Sequence, residues 1–343
     1  MRYAYSAVTV PSTGYARAAA MNRAALAELG HEEVLETDDP DVIIDHHALL
    51  HLPTYLVPKS ITAKPLRIAV TTWELTTPIP DHLYPWTYDV VAMPSHYARK
   101  CAKKDWSALD VIHHGLPADY QQPSARGKEF TFYTIAERPS HHKNIDGLIA
   151  AYAHAFNATD PVRLHIKLHG PSDAMSQPIQ MAFQALCGPD HDKDMLPTIW
   201  VTAEEWDDDQ IRQFHAQGNC YVSLSRGEAF ALPVLEAATM GNQVVVPAMG
   251  PYMEYMSKGR TRRIQCHETP AVVPPELAGT KLVRHAPGGV SVKGRWLEPD
   301  RCHAATLMRQ AYEENAPRYP DPPVDTFKNT LQDWYELLSC HGI

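Results

Sequence analysis

The sequence predicts an α/β protein of two domains, each built around a mostly parallel sheet. Short apolar strands alternate with helices through residues 2–114. A polar stretch rich in Pro, Ser and Gly, residues 118–128, interrupts this pattern, which resumes at Glu129. Near residue 220, a strand, a polar loop, a helix and another strand follow one another. A chain of 343 residues is also long enough to favour two cores over one.

The expected elements follow from apolar runs, helical spacing and turn residues. In the first domain the expected strands are Arg2–Val10, Glu33–Glu36, Val42–Asp45, Arg67–Thr72, Asp89–Met93 and Val111–His114, and the helices are Tyr15–Leu29 and Ser95–Lys104. In the second, the strands are Glu129–Ile135, Leu164–Leu168, Ile199–Val201, Cys220–Leu224 and Gln243–Pro247, and the helices are Asn144–Phe156, Asp207–Gln217, Pro233–Met240 and Asp300–Asn315. Residues 250–289 are rich in loops and predict no regular element.

Local signals assign several polar residues a structural role. Ser95 is expected to cap the helix that begins there. The three aspartates Asp207–Asp209 fall in a first helical turn, where they complement the helix dipole, and we do not assign them to catalysis. A final helix, Asp325–Leu338, places four large side chains at helical spacing, which predicts core packing. These side chains are Phe327, Leu331, Trp334 and Leu338.

The composition is that of an ordinary soluble protein and argues against nucleic-acid-bound, membrane-bound, disulfide-rich and metal-binding proteins. Hydrophobic residues make up 44% and charged residues 21%, and the net charge of −9 argues against a protein held mainly by nucleic acid or membrane. The six cysteines form no disulfide or metal pattern, as expected of reduced thiols in a cytoplasmic protein. We expect no export signal and no transmembrane segment. The 19 histidines offer no persuasive ligand spacing, so no metal site is expected.

The stretch from Cys220 to Pro247 carries the first chemical signal. The loop Ser225–Ala229 lies at the carboxyl end of a strand, where open α/β sheets bind ligands. Two carboxylates lie eight residues apart, Glu228 on the loop and Glu236 in the helix that follows. Pro233 suits the first turn of that helix, and Gly241 suits its end.

A second signal lies about 90 residues earlier, in the run AERPSHHKNIDGLI. Arg138 follows a predicted strand, and Lys143 precedes an amphipathic helix. A guanidinium and an ammonium fixed in this way can stabilise negative charge that develops on a phosphate group.

Together, the E-x7-E pair and the Arg–Lys pair resemble the motifs of the retaining glycosyltransferases of family 4. The resemblance covers residues 128–250 well, residues 290–343 less well and residues 1–117 least. It implies the GT-B fold, in which two Rossmann-like domains with mostly parallel sheets face each other across a cleft. The implied boundaries are an acceptor domain at 1–120, a linker at 121–128, a nucleotide-sugar domain at 129–315 and a terminal helix at 316–343 that crosses back.

The resemblance also implies a role for each motif residue. Arg138, Lys143 and Glu228 would be catalytic, the two cations on the donor diphosphate and Glu228 on the donor sugar. Glu236 would bind the ribose hydroxyls. Further donor contacts would come from Gly14 and from the helix entrance, namely Ala229, Phe230, Ala231 and Leu232.

Three departures from the family pattern stand out. Ala229 and Ala231 replace glycines on either side of Phe230, which reduces the room for backbone approach. Gly250-Pro251-Tyr252-Met253-Glu254 replaces a double-glycine turn. Thr72-Trp73-Glu74 stands where many members carry a histidine after the fourth strand. Glu74 could act there as a base, bind the acceptor hydroxyl, or be structural.

The expected function is a retaining, metal-independent transfer of a hexose or similar sugar from a nucleotide sugar, with UDP or GDP as the carrier and no resident cofactor. The hydroxyl acceptor would be a glycan, a lipid-linked sugar or a small metabolite. The weakest assignments are the acceptor contacts Arg17, Trp73, Arg99 and Lys103. One alternative is a viral-type enzyme that glycosylates modified bases in DNA, which the acidic chain does not favour. The other is a partner subunit that binds nucleotide sugars but transfers weakly. The sequence does not fix the oligomeric state.

Overall fold

The computed structural model describes residues 1–7, 13–47, 49, 52, 65–79, 87–102, 109–117, 120, 129–137, 141–169, 197–256, 261–271, 294–317 and 326–343. The chain divides into two compact units. The first comprises Met1–Asp119, Glu228–Phe230 and Val324–Ile343, and the second comprises Tyr120–Gly227 and Ala231–Pro323. The C-terminal helix and the tip of the E-x7-E loop therefore both group with the N-terminal residues.

The described strands and helices alternate through most of the chain. In chain order the strands are β1 Arg2–Ala7, β2 Glu32–Glu33, β3 Val42–His46, β4 Leu66–Val70, β5 Val90–Met93, β6 Leu109–Val111, β7 Phe130–Ala136, β8 Val162–Leu168, β9 Thr198–Ala203, β10 Cys220–Val222, β11 Gln243–Pro247, β12 Thr261–Ile264, β13 Cys266–Pro270 and β14 Arg295–Pro299. The helices are α1 Gly14–Glu28, α2 His96–Ala102, α3 Ile145–Ala155, α4 Asp208–Gln217, α5 Leu232–Thr239, α6 Tyr252–Tyr255, α7 Arg301–Glu314 and α8 Thr326–Cys340. Among these helices, none combines the length and apolarity needed to cross a bilayer.

The first unit is built on a sheet of six parallel strands in the order β2-β1-β3-β4-β5-β6. Strands β3 and β5 are buried at every position, as expected of parallel strands covered on both faces. Helix α8 packs onto this core with Trp334, Leu337 and Leu338, while Phe327 and Leu331 lie at its margin. The predicted core stripe on the last helix is therefore confirmed.

The second unit has a sheet of six parallel strands in the order β12-β11-β10-β7-β8-β9. Strand β7 comes first in the chain but lies between β10 and β8, so the winding of the sheet reverses at β7. In open α/β sheets such a reversal separates the loops at the carboxyl ends of adjacent strands and leaves a crevice for a ligand. The loops after β7 and β10 carry the two motifs found in the sequence.

Most predicted elements lie within about two residues of the observed ones. The predicted cap at Ser95 is confirmed, and of the three aspartates expected in a first helical turn, Asp208 and Asp209 lie there while Asp207 is the N-cap. The Ser95 hydroxyl accepts a hydrogen bond from the Ala98 amide at 3.0 Å, and Asp207 caps α4 by accepting from the Gln210 amide at 2.8 Å. Gly241 ends α5 with a φ of 74°.

Several elements differ from the prediction. Strand β6 ends at Val111 rather than at residue 114, so His113 and His114 follow the strand. Residues 250–271 form α6, β12 and β13 although no element is predicted there, and β14 pairs antiparallel with β13. Charged residues in β12 hide its strand character, and pairing between β13 and β14 joins segments that are distant in sequence, so a local pattern does not reveal it.

Candidate functional site

The lysine end of the Arg–Lys motif forms a tight turn that leads into α3. Residues His141–Lys143 make one 3₁₀ turn, and Asn144 then adopts a left-handed conformation with φ of 52° before α3 begins. The buried Asn144 side chain donates from Nδ2 to the Leu224 carbonyl at 2.9 Å. This bond fixes the turn against the end of β10 and leaves Lys143 half-buried beside it. Arg138 lies outside the described residues.

The loop after β10 is bound to the same turn. The Arg226 amide donates to the His142 carbonyl at 2.7 Å. The Ser225 hydroxyl lies 3.2 Å from that carbonyl and 2.9 Å from the Gly227 carbonyl. The His141–Lys143 turn and the Ser225–Gly227 loop, which adjoin the two sequence motifs and lie about 85 residues apart in the chain, therefore meet.

Glu236 lies on α5 at the end of a buried chain of hydrogen bonds. Its Oε2 is 3.1 Å from His215 Nε2, and both side chains are fully buried. The His215 Nδ1 is 2.9 Å from the Tyr133 hydroxyl, which accepts from Asn242 Nδ2 at 2.6 Å. If the Tyr133 hydroxyl donates its proton to His215 Nδ1, a neutral His215 carries its own proton on Nε2 and donates it to Glu236.

This network holds the Glu236 carboxylate in one orientation. A buried carboxylate is costly unless hydrogen-bonded, and here the donor is itself fixed by Tyr133 and Asn242. Because Glu236 is fully buried, a ligand hydroxyl reaches it only when the groups over it move. The sequence did not point to His215, since its partner lies 21 residues away on another helix.

Ala231 has the backbone conformation of a glycine. Its φ is 67° and its ψ is 64°, at the N-cap of α5, and its carbonyl accepts from the Val234 amide at 3.0 Å. An alanine in this region costs about 1–2 kcal/mol because its Cβ crowds the backbone. Ala231 thus replaces the glycine of the family pattern at a position whose backbone conformation favours glycine.

Replacing Ala231 with Gly should stabilise the protein by about 1 kcal/mol, since the left-handed strain is removed and part of that gain is offset by glycine's greater freedom when unfolded. Urea unfolding of the whole chain measures the change. The matched control is Ala229→Gly, two residues earlier, where φ is not positive and the buried methyl is simply lost. This control should destabilise by about 1 kcal/mol. Equal shifts for both variants would contradict the assignment of strain to Ala231.

The tip of the loop, Glu228–Phe230, belongs to the first unit. The Ser95 hydroxyl donates to the Ala229 carbonyl at 2.6 Å, while it also caps α2. The Phe230 ring meets the edge of His114, with the ring centroids 5.1 Å apart. Ala229 and Phe230 are buried, but Glu228 between Gly227 and Ala229 is half-buried. Residues of the first unit thus hold the main chain on the carboxyl side of Glu228.

In the first unit, a second histidine terminates a hydrogen-bond chain. Trp334 Nε1 donates to Asn22 Oδ1 at 3.3 Å, and Asn22 Nδ2 donates to the Tyr5 hydroxyl at 3.1 Å. The Tyr5 hydroxyl lies 3.0 Å from His46 Nδ1. If the hydroxyl donates to that nitrogen, a neutral His46 carries its own proton on Nε2. Burial, reinforced by His114, holds the pKa of His46 well below its ordinary value and keeps the ring neutral.

His46 ends β3, and its ring centroid lies 5.9 Å from that of His114, which follows β6. Burial, with a contribution from His113, lowers the pKa of His114 to about 3. His46 Nε2 and His114 Nδ1 are buried nitrogens with no hydrogen-bond partner among the described residues. The sequence analysis assigned neither histidine a role. The one feature that could have indicated a site residue is the position of His46 at the end of a strand that begins with apolar residues.

Of the residues after β4, Trp73 was expected to contact the acceptor but is buried in the protein. Trp73 is 1% exposed, and its indole N–H donates to the Thr77 carbonyl at 2.6 Å. The Thr72 hydroxyl bonds to the Tyr15 hydroxyl, and Glu74 is half-buried. Trp73 is thus a packed side chain, whereas Glu74 remains accessible for the predicted acceptor role.

The remaining predicted residues are dispersed. Gly14 is exposed at the start of α1, and a Cβ there would meet nothing within 4 Å. Arg17 is half-buried on the same helix. Arg99 is exposed but donates from Nε to the Leu109 carbonyl at 2.8 Å. Lys103 lies outside the described residues.

A buried lysine lies beside the loop that follows β9. Lys167, near the end of β8, donates from Nζ to the carbonyls of Leu168 at 2.7 Å and Glu204 at 2.6 Å. Its Nζ also lies 4.6 Å from the centroid of the Trp206 ring. Burial lowers the pKa of Lys167 to about 8. These contacts fix the loop after β9 beside the carboxyl end of β8.

Metal-binding groups do not cluster in the described part of the chain, where no three His, Cys, Asp or Glu side chains lie together as ligands would.

No protein-family model and no curated protein sequence matches the chain. Several solved structures match over nearly its whole length. HepE of Anabaena, solved with UDP and glucose, has 14% identity and a TM-score of 0.58, over 99% of this chain and 100% of that one. The avilamycin glycosyltransferase AviGT4 has 17% identity and a TM-score of 0.51, over 97% and 98%.

TarM of S. aureus, solved with UDP, has 13% identity and a TM-score of 0.53. The match covers 91% of this chain and 58% of TarM, so the chain spans little more than half of that protein.

The chain has the GT-B fold. The predicted α/β fold class, with two Rossmann-like units and parallel sheets, is confirmed. Identities of 14% and 17% establish the fold alone. Within this GT-B fold, activity has to be argued from the residues at the carboxyl edges of the two sheets.

Proposed function

We propose that the protein is a glycosyltransferase that moves a sugar from a nucleotide-sugar donor to a hydroxyl acceptor. The observation that carries this proposal is the meeting of the Lys143 turn and the Ser225–Gly227 loop at the winding reversal of the second sheet. The HepE and TarM structures, which share the fold, were solved with UDP. UDP-type donors are therefore the first candidates.

The donor nucleotide would bind the second unit. When the anomeric C–O bond breaks, the departing diphosphate oxygen gains negative charge, and Lys143 with Arg138 would stabilise it without a metal. The amides at the start of α5 would add a favourable helix dipole. Glu228 would hold the donor sugar through its hydroxyls, and Glu236 the ribose.

The acceptor would bind the first unit. Its hydroxyl oxygen forms the new bond to the anomeric carbon and loses its proton, either to the departing phosphate oxygen or to Glu74. A retaining outcome follows from the family resemblance. The neutral His46, which presents an N–H, and the neutral His114 are suited to hydrogen-bond a sugar or alcohol hydroxyl without adding charge.

A panel of nucleotide sugars tests the proposal directly. Binding to the folded state raises the apparent melting temperature, so thermal shift identifies the base and the sugar, and a product assay with a broad acceptor set then measures release of the nucleoside diphosphate. Stabilisation by one nucleotide family together with turnover is expected. Stabilisation without consumption of any nucleotide sugar would instead support a binding subunit that has lost transfer.

The ribose role of Glu236 has a specific test. Wild-type protein should bind UDP more tightly than 2′,3′-dideoxy-UDP by about tenfold or more, the scale of hydrogen bonds to a charged group. Glu236→Gln should lose most of this preference, because a neutral amide accepts through a single oxygen. Glu314→Gln, on the exposed end of α7, is the control and should keep it. If Glu236→Gln discriminates as well as wild type, Glu236 does not bind the ribose.

A further inference from the structure

Arg226 is a cation near the predicted phosphate site, yet each of its three guanidinium nitrogens donates a hydrogen bond within the protein. It lies in the loop after β10 and is only 4% exposed. Its Nε and Nη2 donate to the two carboxylate oxygens of Glu298 at 2.6 and 3.2 Å. Its Nη1 donates to the His141 carbonyl at 2.5 Å. An arginine held in this way cannot turn its fork towards a phosphate without breaking a buried pair.

The main chain of Arg226 is bound on both sides as well. Its amide donates to the His142 carbonyl at 2.7 Å, and its carbonyl accepts from the Leu297 amide of β14 at 2.9 Å. Arg226 thus joins three segments that are far apart in sequence: the turn that ends with Lys143, the loop that leads to Glu228, and β14. Two consecutive carbonyls of the turn, those of His141 and His142, each accept a hydrogen bond from this one residue, and they also accept from the Asn144 amide and the Ser225 hydroxyl respectively.

We propose that Arg226 is a positioning residue that sets the Lys143 ammonium for the donor diphosphate by fixing the His141–Lys143 turn. Glu298 neutralises the Arg226 charge, so the positive charge offered to the phosphates comes from Lys143 and Arg138. The inference depends on the proposed function, because it assumes that Lys143 contacts phosphate.

The geometry explains why an arginine is required. Its planar fork meets both Glu298 oxygens and still directs Nη1 to the His141 carbonyl, which a single ammonium cannot do. Arg226→Lys keeps the charge but should release the turn. The expected result is a loss of affinity for UDP of about tenfold, while affinity for uridine, which has no phosphate, stays within about twofold. A residue that only stabilised the fold would not change this ratio.

The decisive measurement is the ratio of UDP to uridine affinity by calorimetry in a double-mutant cycle. If Arg226 acts through Lys143, Arg226→Lys should have little further effect on that ratio in a Lys143→Ala background. Arg262→Lys is the control, since Arg262 forms another arginine–glutamate pair in the same unit, with the exposed Glu314, and should leave the ratio unchanged. Glu298→Gln provides a second, gentler disruption should Arg226→Lys fold poorly, and the same loss of ratio is expected.

The outcomes separate the two hypotheses. An unchanged ratio in folded Arg226→Lys or Glu298→Gln, with a reduced ratio in Lys143→Ala, would overturn the positioning role and leave the proposed function intact. An unchanged ratio in Lys143→Ala would instead remove Lys143 from phosphate binding, and the positioning role would fail with it. Additive effects in the double variant would show that Arg226 acts independently of Lys143.

Discussion

Replacing Lys143 with Ala is expected to lower kcat for sugar transfer by two or more orders of magnitude, with a smaller effect on binding of the donor. The ammonium is proposed to act mainly on the charge that develops as the diphosphate departs, and loss of one such electrostatic group typically costs about 10²–10³ in rate. Arg138→Ala should show a loss of the same order. Steady-state kinetics with the donor identified by thermal shift measures both.

The control for Lys143 is Lys100→Ala, on the exposed side of α2, which should leave kcat unchanged. A Lys143 variant that retains wild-type kcat would remove this residue from the stabilisation of the leaving group. A loss confined to KM would have a different meaning, because it would show that Lys143 binds the donor equally well before and during bond breaking.

Local signals explain why the architecture was predictable. The buried parallel strand β5 is an unbroken apolar run, VVAM, and turn residues Pro94 and Ser95 follow it. The caps at Ser95 and Asp207 depend on a contact three residues away, so the sequence displays them directly. The E-x7-E spacing likewise places one carboxylate on a loop and the other on α5.

The environments of the site residues could not be predicted, because their partners are remote in sequence. Glu298 lies 72 residues from Arg226, and Trp334 lies 312 residues from Asn22. Only folding brings such pairs together. The sequence therefore identified charged groups expected near the donor but not their surroundings. It did not show that Arg226 is paired with Glu298 or that Glu236 is fully buried.

The two histidine chains illustrate the same limit. In each unit an asparagine amide donates to a tyrosine hydroxyl on the first strand of the sheet, and that hydroxyl lies within hydrogen-bond distance of a histidine Nδ1. A hydroxyl that donates to Nδ1 leaves the histidine with its own proton on Nε2. In the second unit this proton meets Glu236, and in the first it belongs to His46 at the carboxyl edge of the sheet. The chemical state of each histidine is thus set by residues that a motif does not contain.

Replacing Glu228 with Ala is expected to abolish measurable sugar transfer while it leaves the affinity for UDP within about tenfold, or roughly 1.4 kcal/mol. The carboxylate is half-buried at the loop tip, between the main-chain contacts of Arg226 and the bond from Ser95 to Ala229. Its proposed partners are the hydroxyls of the donor sugar, which UDP lacks. The variant should therefore no longer orient the donor sugar for transfer, whereas its affinity for the nucleotide should remain.

Glu228→Gln sharpens the test, because it preserves the shape and hydrogen-bonding reach of the side chain and removes only its charge. If Glu228 works by orienting sugar hydroxyls, the glutamine variant should recover part of the lost kcat, since an amide oxygen still accepts a hydrogen bond. If the negative charge is what matters, for example in stabilising positive charge on the reacting sugar, the glutamine variant should be as inactive as the alanine one. Full activity of Glu228→Ala would exclude both roles, and the first carboxylate of the E-x7-E pair would then have no part in the reaction.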